Sequence, residues 1–281
     1  MRKHFFLSWA AVLLVAMSAR AQDRQATSQP VVPPDGEAAK QAIEKSPRHG
    51  EWQEIALPGS EARIRTWVVF PERKEKAPVV LVIHEIFGLT DWVRGVADQL
   101  AADGYIAVAP DMLSGRGPGG GGTEALGDKV REEIRKLSPD EVAQRLDAVR
   151  AWALQHPAAS GKSASIGFCW GGTASFNYAV RQPKLDAAIV YYGSGPKEAE
   201  QLARIAAPVL GLYGGDDARV TSTVEPTKQA MKQANKPYEA HVFDGAGHGF
   251  LRQQSGKEGA NQKAAQQAWQ HTLAFLKQHL Q

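Results

Sequence analysis

A single cysteine occurs in this chain of 281 residues, and its neighbours indicate chemistry. Cys169 lies between Gly167 and Gly171 in the order Gly-Phe-Cys-Trp-Gly. The strand-like residues 164–168 precede it and the helix-like residues 171–181 follow. This is the setting of a nucleophile elbow, with cysteine where serine is more usual, and the helix N-terminus favours a thiolate and an oxyanion. We therefore expect Cys169 to be a nucleophile; the alternative is a buried structural cysteine in a glycine-rich turn.

Two aspartates and a histidine follow Cys169 in the order that an elbow nucleophile requires, with the acid before the histidine. Asp216 and Asp217 come directly after a strand-like segment, and His248 lies in a glycine-rich turn after the next strand-like segment. Spacing does not distinguish the two aspartates. Either aspartate could instead cap the following loop, and His248 could be a surface turn residue. The order and the locations together predict a triad of thiol, imidazole and carboxylate.

Four segments of the sequence resemble the dienelactone hydrolase family. The resemblance runs from about Glu51 to the C-terminus, and its most specific parts are the first two segments. It implies an α/β-hydrolase with a Cys-His-Asp triad, and it selects Asp217 over Asp216 because the family's acid ends its Gly-Gly-x-Asp block. The segments are Ile-His-Glu-Ile-Phe-Gly at 83–88, Gly-Phe-Cys-Trp-Gly-Gly at 167–172, Gly-Gly-Asp-Asp at 214–217 and Ala-Gly-His-Gly-Phe at 246–250.

The resemblance also implies roles for residues around the triad. Glu85 is expected to interact with the resting thiol and to be displaced when substrate arrives, so that His248 can take the thiol proton. The backbone N–H groups of Trp170 and Ile86 are expected to hold the oxyanion. Arg252 matches one of the arginines that hold the family's substrate, an enol-lactone carboxylate. The simpler alternatives are a strand-end role for Glu85 and a solvated surface position for Arg252.

A second substrate-binding arginine is expected before the elbow, but its position is open. Arg131 and Arg135 are the candidates, and either could be a solvated surface residue. The glycine-rich residues 114–122 depart from the family pattern, so this part of the chain cannot be aligned. We expect them to form a mobile loop. They lack the Gly-Lys-Ser/Thr ending of a phosphate-binding loop, which argues against a nucleotide site.

These residues predict an enzyme that hydrolyses small carboxylic esters or lactones. The alternatives are an acyltransferase or thioesterase with the same triad, and a catalytically degenerate exported binding protein. The physiological substrate stays open. We expect no cofactor and no metal ion, because the pair His84-Glu85 lacks the second histidine, four residues on, of a zinc-binding motif.

The elements that must position these residues alternate between strand and helix. Strands separated by helices of this length predict βαβ units and a mostly parallel sheet. We expect a single α/β-hydrolase domain over residues 51–281, with helices on both faces of the sheet. The predicted strands are 64–70, 78–84, 105–109, 164–168, 185–192, 208–213 and 238–243. The predicted helices are 92–103, 138–155, 171–181, 222–235 and 257–280.

The N-terminus has the pattern of a secretory signal peptide. Arg2 and Lys3 precede the mostly apolar residues 5–17, and the small residues Ala19 and Ala21 suit cleavage after Ala21. The apolar run is too short to span a bilayer comfortably. We therefore expect residues 1–21 to be removed and the protein to be periplasmic or secreted. Residues 22–50 are predicted to be a flexible tether with a possible short helix at 38–46.

Charge narrows the choice of partners. Three of the 33 lysines and arginines, and none of the 30 acidic residues, lie in the predicted leader, so the mature chain is formally neutral. This gives no reason to expect nucleic acid or an anionic membrane as a partner. The expected partner is a small ester or lactone, without stable membrane insertion once the signal is removed. The oligomeric state is left open, with a monomer favoured.

Overall fold

One eight-stranded sheet organises the protein. The computed structural model describes residues 31–281, so the predicted leader and residues 22–30 of the predicted tether lie outside it. The strand order is β1-β2-β4-β3-β5-β6-β7-β8. The β1–β2 and β2–β4 pairs are antiparallel and all other neighbours are parallel, which confirms the predicted mostly parallel sheet. The strands are β1 Gly50–Ala56, β2 Arg63–Val69, β3 Ala77–Ile83, β4 Ile106–Pro110, β5 Ala159–Phe168, β6 Ala187–Tyr191, β7 Val209–Gly214 and β8 Tyr238–Phe243.

Helices cover both faces of this sheet, as predicted. Every residue of β3 is buried, because successive side chains point to opposite faces and both faces are covered. Val80 and Val82 pack in a core with α2 and α10, whereas Val79 and Leu81 pack in a second core with α4, α5 and α6. The helices are α1 Ala39–Glu44, α2 Asp91–Ala102, α3 Thr123–Leu126, α4 Val130–Arg135, α5 Pro139–Gln155, α6 Trp170–Arg181, α7 Ala199–Ala203, α8 Ala218–Thr221, α9 Val224–Gln233 and α10 Ala260–Leu280. Between residues 31 and 281, no helix combines the length and apolarity needed to span a membrane.

Several elements differ from the sequence-based expectation. Strand β1 was not predicted, and β5 begins at Ala159 rather than at residue 164. The helix predicted at 222–235 corresponds to α9, which runs from Val224 to Gln233, and the short helix α8, which ends at Thr221, was not predicted. The helix α1 lies within the possible helix at 38–46.

A segment before α1 packs against the loop that follows His248. The Asp35 carboxylate accepts hydrogen bonds from the N–H groups of Gln254, at 2.7 Å, and Ser255, at 3.4 Å. The Gly36 N–H donates to the Arg252 carbonyl at 2.8 Å. We call residues 33–36 the N-terminal strap. This described part of the predicted tether holds the backbone on both sides of Gln253.

The glycine-rich residues 114–122 are anchored by contacts within the loop and at its ends. The Gly117 N–H donates to the Gly121 carbonyl at 2.8 Å, and the Arg116 guanidinium contacts the Glu141 carboxylate at 2.5 Å. Just beyond the loop, the Thr123 N–H and hydroxyl both donate to the Asp111 carboxylate, at 2.7 and 2.8 Å. These contacts fix where the loop begins and ends.

Candidate active site

Cys169 lies in the sharp turn between β5 and α6. Its backbone angles, φ 55° and ψ −114°, are rare for a residue other than glycine. Two glycines allow the turn: a Cβ on Gly167 would overlap the Gly171 carbonyl, and one on Gly171 would overlap the Ile83 carbonyl. Cys169 is half-buried and forms the N-cap of α6. Its side chain therefore starts at a helix end whose free N–H groups favour negative charge.

His248 and Asp217 come together from the loops after β8 and β7. The His248 Nδ1 lies 2.5 Å from the Asp217 Oδ2, and the Asp217 side chain is buried. Interaction with the Cys169 thiol is the largest cause that raises the pKa of His248; burial opposes it, and Asp217 raises it further. Because the bond to Asp217 places a proton on Nδ1, the ring's Nε2 is free to accept a proton from a neighbouring thiol.

The two neighbouring aspartates have different partners. The Asp216 Oδ2 lies 3.1 Å from the Lys257 Nζ, and both side chains are about half exposed. Asp217, not Asp216, contacts the imidazole of His248. The structure thus distinguishes two residues that spacing alone left equivalent.

Glu85 is buried just after β3 and forms an ion pair with Arg252. The Glu85 Oε2 lies 2.5 Å from the Arg252 Nε. Burial raises the pKa of Glu85, whereas Arg252 and, more weakly, His248 lower it. The resemblance implied a contact between Glu85 and the thiol of Cys169. Within residues 31–281 the hydrogen-bonding partner of the Glu85 carboxylate is Arg252, and no hydrogen bond joins it to Cys169.

Phe87 brings two arginines to one place. The guanidinium carbon of Arg252 lies 5.0 Å from the centre of the Phe87 ring, and that of Arg131 lies 4.8 Å from it. Both distances are within the range of cation–π attraction. Arg135, one turn further along α4, has no such contact with an aromatic ring in the described part of the chain. Of the two candidates for a second arginine, the structure places Arg131 beside the ring that Arg252 contacts.

The backbone N–H of Ile86 lies in the loop after β3, and that of Trp170 belongs to the first residue of α6. Neither N–H group donates a hydrogen bond to another group between residues 31 and 281. Both are therefore available to a negative oxygen.

His84 supports the backbone beside these N–H groups. Its ring is fully buried and stacks on the ring of Trp170, with centroids 5.6 Å apart. The Nδ1 donates to the Glu85 carbonyl at 2.8 Å and the Nε2 accepts from the Met112 N–H at 3.1 Å. Burial lowers the pKa of His84, so the imidazole is neutral and both nitrogens are already used. Within residues 31–281, neither His84 nor Glu85 belongs to a group of three potential metal ligands.

Tyr192 is a site residue that the sequence analysis did not identify. Its ring centre lies 5.1 Å from that of His248, and its backbone has a positive φ of 40°. The hydroxyl is buried and has no hydrogen-bond partner among residues 31–281. Burial and the nearby charge of Glu85 raise the pKa of Tyr192 well above its usual value, so it keeps its proton. The sequence did contain one indication of this role. Tyr192 is the last residue of a predicted strand, and active-site residues gather at the carboxyl ends of parallel strands.

The arrangement has the parts needed for nucleophilic catalysis. Strands β5, β7 and β8 are parallel, so their carboxyl ends lie at the same edge of the sheet. The thiol follows β5, the buried carboxylate follows β7 and the base follows β8. The base contacts the carboxylate, and the thiol raises the pKa of the base. Such a set suits attack on an electrophilic carbonyl carbon.

Comparisons with known proteins agree with this fold and site. A sequence profile of the Dienelactone hydrolase family matches residues 64–280. The chain is 31% identical over 237 residues to a candidate carboxymethylenebutenolidase of Yersinia pestis, covering 80% of this chain and 88% of the relative. It is 31% identical over 211 residues to the carboxymethylenebutenolidase of Pseudomonas putida, covering 72% and 86%. The crystal structure of a candidate dienelactone hydrolase from Klebsiella pneumoniae matches with a TM-score of 0.70 and 31% identity, covering 82% of this chain and 99% of that one.

The profile match extends from β2 to the last helix and includes every segment that carries a predicted site residue. None of the three relatives is named an acyltransferase or a binding protein. The chain belongs to the dienelactone hydrolase family, and it is a carboxylic ester hydrolase.

Proposed function

We propose that the protein hydrolyses small carboxylic esters or lactones with Cys169 as nucleophile, His248 as general base and acid, and Asp217 as the group that orients His248. The observation that carries this proposal is the 2.5 Å contact between His248 and Asp217 beside a thiol that raises the pKa of His248. The strained elbow supports it, because such backbone conformations cluster at functional sites.

The reaction has two halves. His248 takes the Cys169 proton as the sulfur attacks the ester carbonyl, forming a carbon–sulfur bond and a tetrahedral oxyanion. The oxyanion collapses, the carbon–oxygen bond breaks, and His248 returns the proton to the leaving alkoxide. Water, deprotonated by His248, then attacks the thioester and releases the acid and the thiol. Asp217 keeps the Nδ1 proton in place and stabilises the imidazolium in both halves.

The N–H groups of Trp170 and Ile86 are proposed to stabilise the oxyanion, each by about 3 kcal/mol. Their free donors and their positions beside the elbow support this role. His84 is proposed as a positioning residue, since its two hydrogen bonds hold the Glu85 carbonyl next to the Ile86 amide.

Arg252 is proposed to bind a carboxylate of the substrate, with Arg131 as the second arginine. An anionic group that reaches Arg252 competes with Glu85 for the same guanidinium. Such competition would release Glu85 from its partner, in keeping with the displacement that the family resemblance implies. The shared contact of both arginines with Phe87 supports a two-arginine anion site.

The role of Cys169 is tested with p-nitrophenyl acetate and with iodoacetamide. Cys169→Ala is expected to abolish ester turnover, and one equivalent of iodoacetamide is expected to inactivate the wild type. The matched control is Cys169→Ser, which keeps the size and the elbow but replaces the thiol with a weaker nucleophile. Full activity of Cys169→Ala, or of the alkylated enzyme, would refute the assignment.

Substrate charge is tested with paired esters that differ only in a carboxylate. Arg252→Ala is expected to raise KM for the anionic ester about tenfold or more, because a charge-assisted hydrogen bond contributes about 1.5–3 kcal/mol. Arg131→Ala is expected to act in the same direction, and Arg135→Ala is the control. Equal losses on the neutral and anionic esters would remove both arginines from carboxylate binding.

A further inference from the structure

Three potential metal ligands converge between the edge strand β8 and the last helix. Glu239 and His241 are two residues apart on β8 and therefore share one face of the strand. His271 comes from α10. The His241 Nε2 lies 2.5 Å from the Glu239 Oε1, and the His271 Nδ1 lies 3.8 Å from the same oxygen. One donor atom from each residue lies within 4.8 Å of the other two.

The distances between these ligand atoms suit a cation with tetrahedral coordination. Zinc binds imidazole nitrogen and carboxylate oxygen at about 2.0–2.2 Å, which places two ligand atoms of a tetrahedron about 3.4 Å apart. The observed distances of 2.5 and 3.8 Å lie on either side of that value. The two imidazoles stack with centroids 3.7 Å apart and an angle of 27° between their planes, and binding one ion requires both rings to rotate until a nitrogen of each faces it.

The charges around the cluster favour a cation. Among residues 31–281 the ion-pair partners of Glu239 are the two histidines, and neither a lysine nor an arginine pairs with it. The carboxylate of Glu239 is therefore available to an ion that the two imidazoles also contact.

The two histidines are carried by rigid backbone elements beside the core. Phe243 lies 6.5 Å from each imidazole ring, centre to centre, and packs on Phe250 in the core. His241 is held on a strand that pairs along its length with β7, and His271 is in the middle of a helix of 21 residues. The ligands therefore come from two rigid elements, which lowers the entropy cost of ordering them around an ion.

We propose that Glu239, His241 and His271 form a binding site for a divalent transition-metal cation of the zinc class, with water completing the coordination. Two imidazoles and one carboxylate are ligands that such cations take, and the set has room for a fourth ligand. The bound ion would link the edge strand β8 to α10. The site is separate from Cys169, so the proposal does not depend on the reaction assigned to that residue.

The test is zinc binding by isothermal titration to the mature chain after treatment with chelator. The parent is Cys169→Ser, which removes the only thiol and with it a competing zinc ligand. We expect one ion per chain, and we expect His271→Gln and Glu239→Gln each to weaken binding about tenfold or more. Zinc at a concentration near the Kd of the parent is also expected to raise the Tm of the parent and to raise that of His271→Gln by much less.

The matched control is His49→Gln. His49 and Glu51 form another surface pair, with the His49 Nε2 3.1 Å from the Glu51 Oε2, but they have no third ligand in the described part of the chain. Binding unchanged in His49→Gln and weakened in the other two variants would support the site. Equal zinc affinity in the parent and in His271→Gln, or no binding in the parent, would overturn it. Should His271→Gln not fold, Glu239→Gln decides between these outcomes.

Discussion

The backbone of Cys169 is as specialised as its thiol. A positive φ on a side chain other than glycine costs on the order of 1–3 kcal/mol, and it persists only where the surroundings enforce it. The close backbone contacts of Gly167 and Gly171 provide that enforcement. Tyr192, whose ring centre lies 5.1 Å from that of His248, also has a positive φ. Strained conformations thus occur at two residues that are near the same imidazole.

Asp217 controls both the orientation and the proton affinity of His248. In Asp217→Asn the wrong tautomer is favoured, so we expect kcat to fall by about 10³–10⁴-fold. Cys169 and, to a smaller extent, Asp217 raise the pKa of His248, so the acid limb of the kcat/KM profile is expected above pH 6.5 in the wild type and at lower pH in the variant, which lacks the contribution of Asp217. Measured pH–rate profiles check both effects.

Asp216→Asn is the control for that experiment. It changes the same chemical group one residue earlier, where the carboxylate faces Lys257 at the surface. Rates and pH profile are expected to stay close to those of the wild type. A loss in Asp216→Asn as large as that in Asp217→Asn would contradict the assignment of the acid.

His84 should make stability depend on pH. Its pKa is lowered in the folded protein, so below about pH 6.5 the unfolded chain binds more protons than the folded one. As the pH decreases, the free energy of unfolding should therefore decrease too. The contribution of His84 to this decrease is at most about 1.4 kcal/mol per pH unit. In His84→Gln, which keeps a donor and an acceptor, this part of the loss is expected to disappear. Urea unfolding of both proteins at pH 7.5 and 5.5 measures it; an identical pH loss would disprove the expectation.

The order of chemistry-bearing residues was visible in the sequence, and contacts between distant residues were not. The elbow glycines, Asp217 and His248 follow a fixed chain order, because this fold brings successive strand ends to one edge. The pairing of Arg131 and Arg252 on Phe87 has no spacing rule, since it joins three separate loops or helices. The same reason explains why the partner of Glu85 could not be read from the sequence.

At the scale of elements, the N-terminal strap connects the start of the described chain to the active site. It lies before residue 64, where the family profile begins, yet it holds the loop that carries Arg252. Asp35 accepts two backbone N–H groups there, and hydrogen bonds to a charged group are among the stronger ones. The position of Arg252 therefore depends on a segment that the family match does not include.

Asp35→Ala tests that dependence. Loss of the hydrogen bonds should loosen the loop and raise KM for an anionic ester several-fold, about 1 kcal/mol, while kcat on a neutral ester stays nearly unchanged. The control is Glu37→Ala, which removes an exposed carboxylate two residues on. A purely structural role would instead lower Tm without the KM effect on the anionic ester.

Elements with both faces covered were predicted best. The continuous apolar run at β3 and the buried strand β7, predicted at 208–213, match the structure closely. Strand β1 was missed because it is at the edge of the sheet and is partly exposed, so its sequence Gly-Glu-Trp-Gln-Glu-Ile-Ala has little apolar pattern. The break between α8 and α9 falls at Ser222 and Thr223, whose hydroxyls bond to carbonyls three residues back and so compete with the regular helix.

At the scale of the whole molecule, the sheet and its two cores occupy the described chain, and the predicted leader precedes them. We propose that residues 1–21 are removed on export and that the mature protein begins at Gln22. This length keeps the N-terminal strap. Intact-mass measurement of protein from the cell envelope or medium is expected to show that N-terminus. Unprocessed protein confined to the cytoplasm would contradict the proposal.

The chain carries one sulfhydryl, and it is located at the elbow. With no second cysteine, oxidation cannot form a disulfide within the molecule; it can oxidise the sulfur itself, cap it with a small thiol or join it to another chain. Each of these products blocks the Cys169 sulfur, which we propose as the nucleophile. The fraction of molecules with added mass should therefore equal the fraction of activity lost, and a reductant should recover the part held in mixed disulfides.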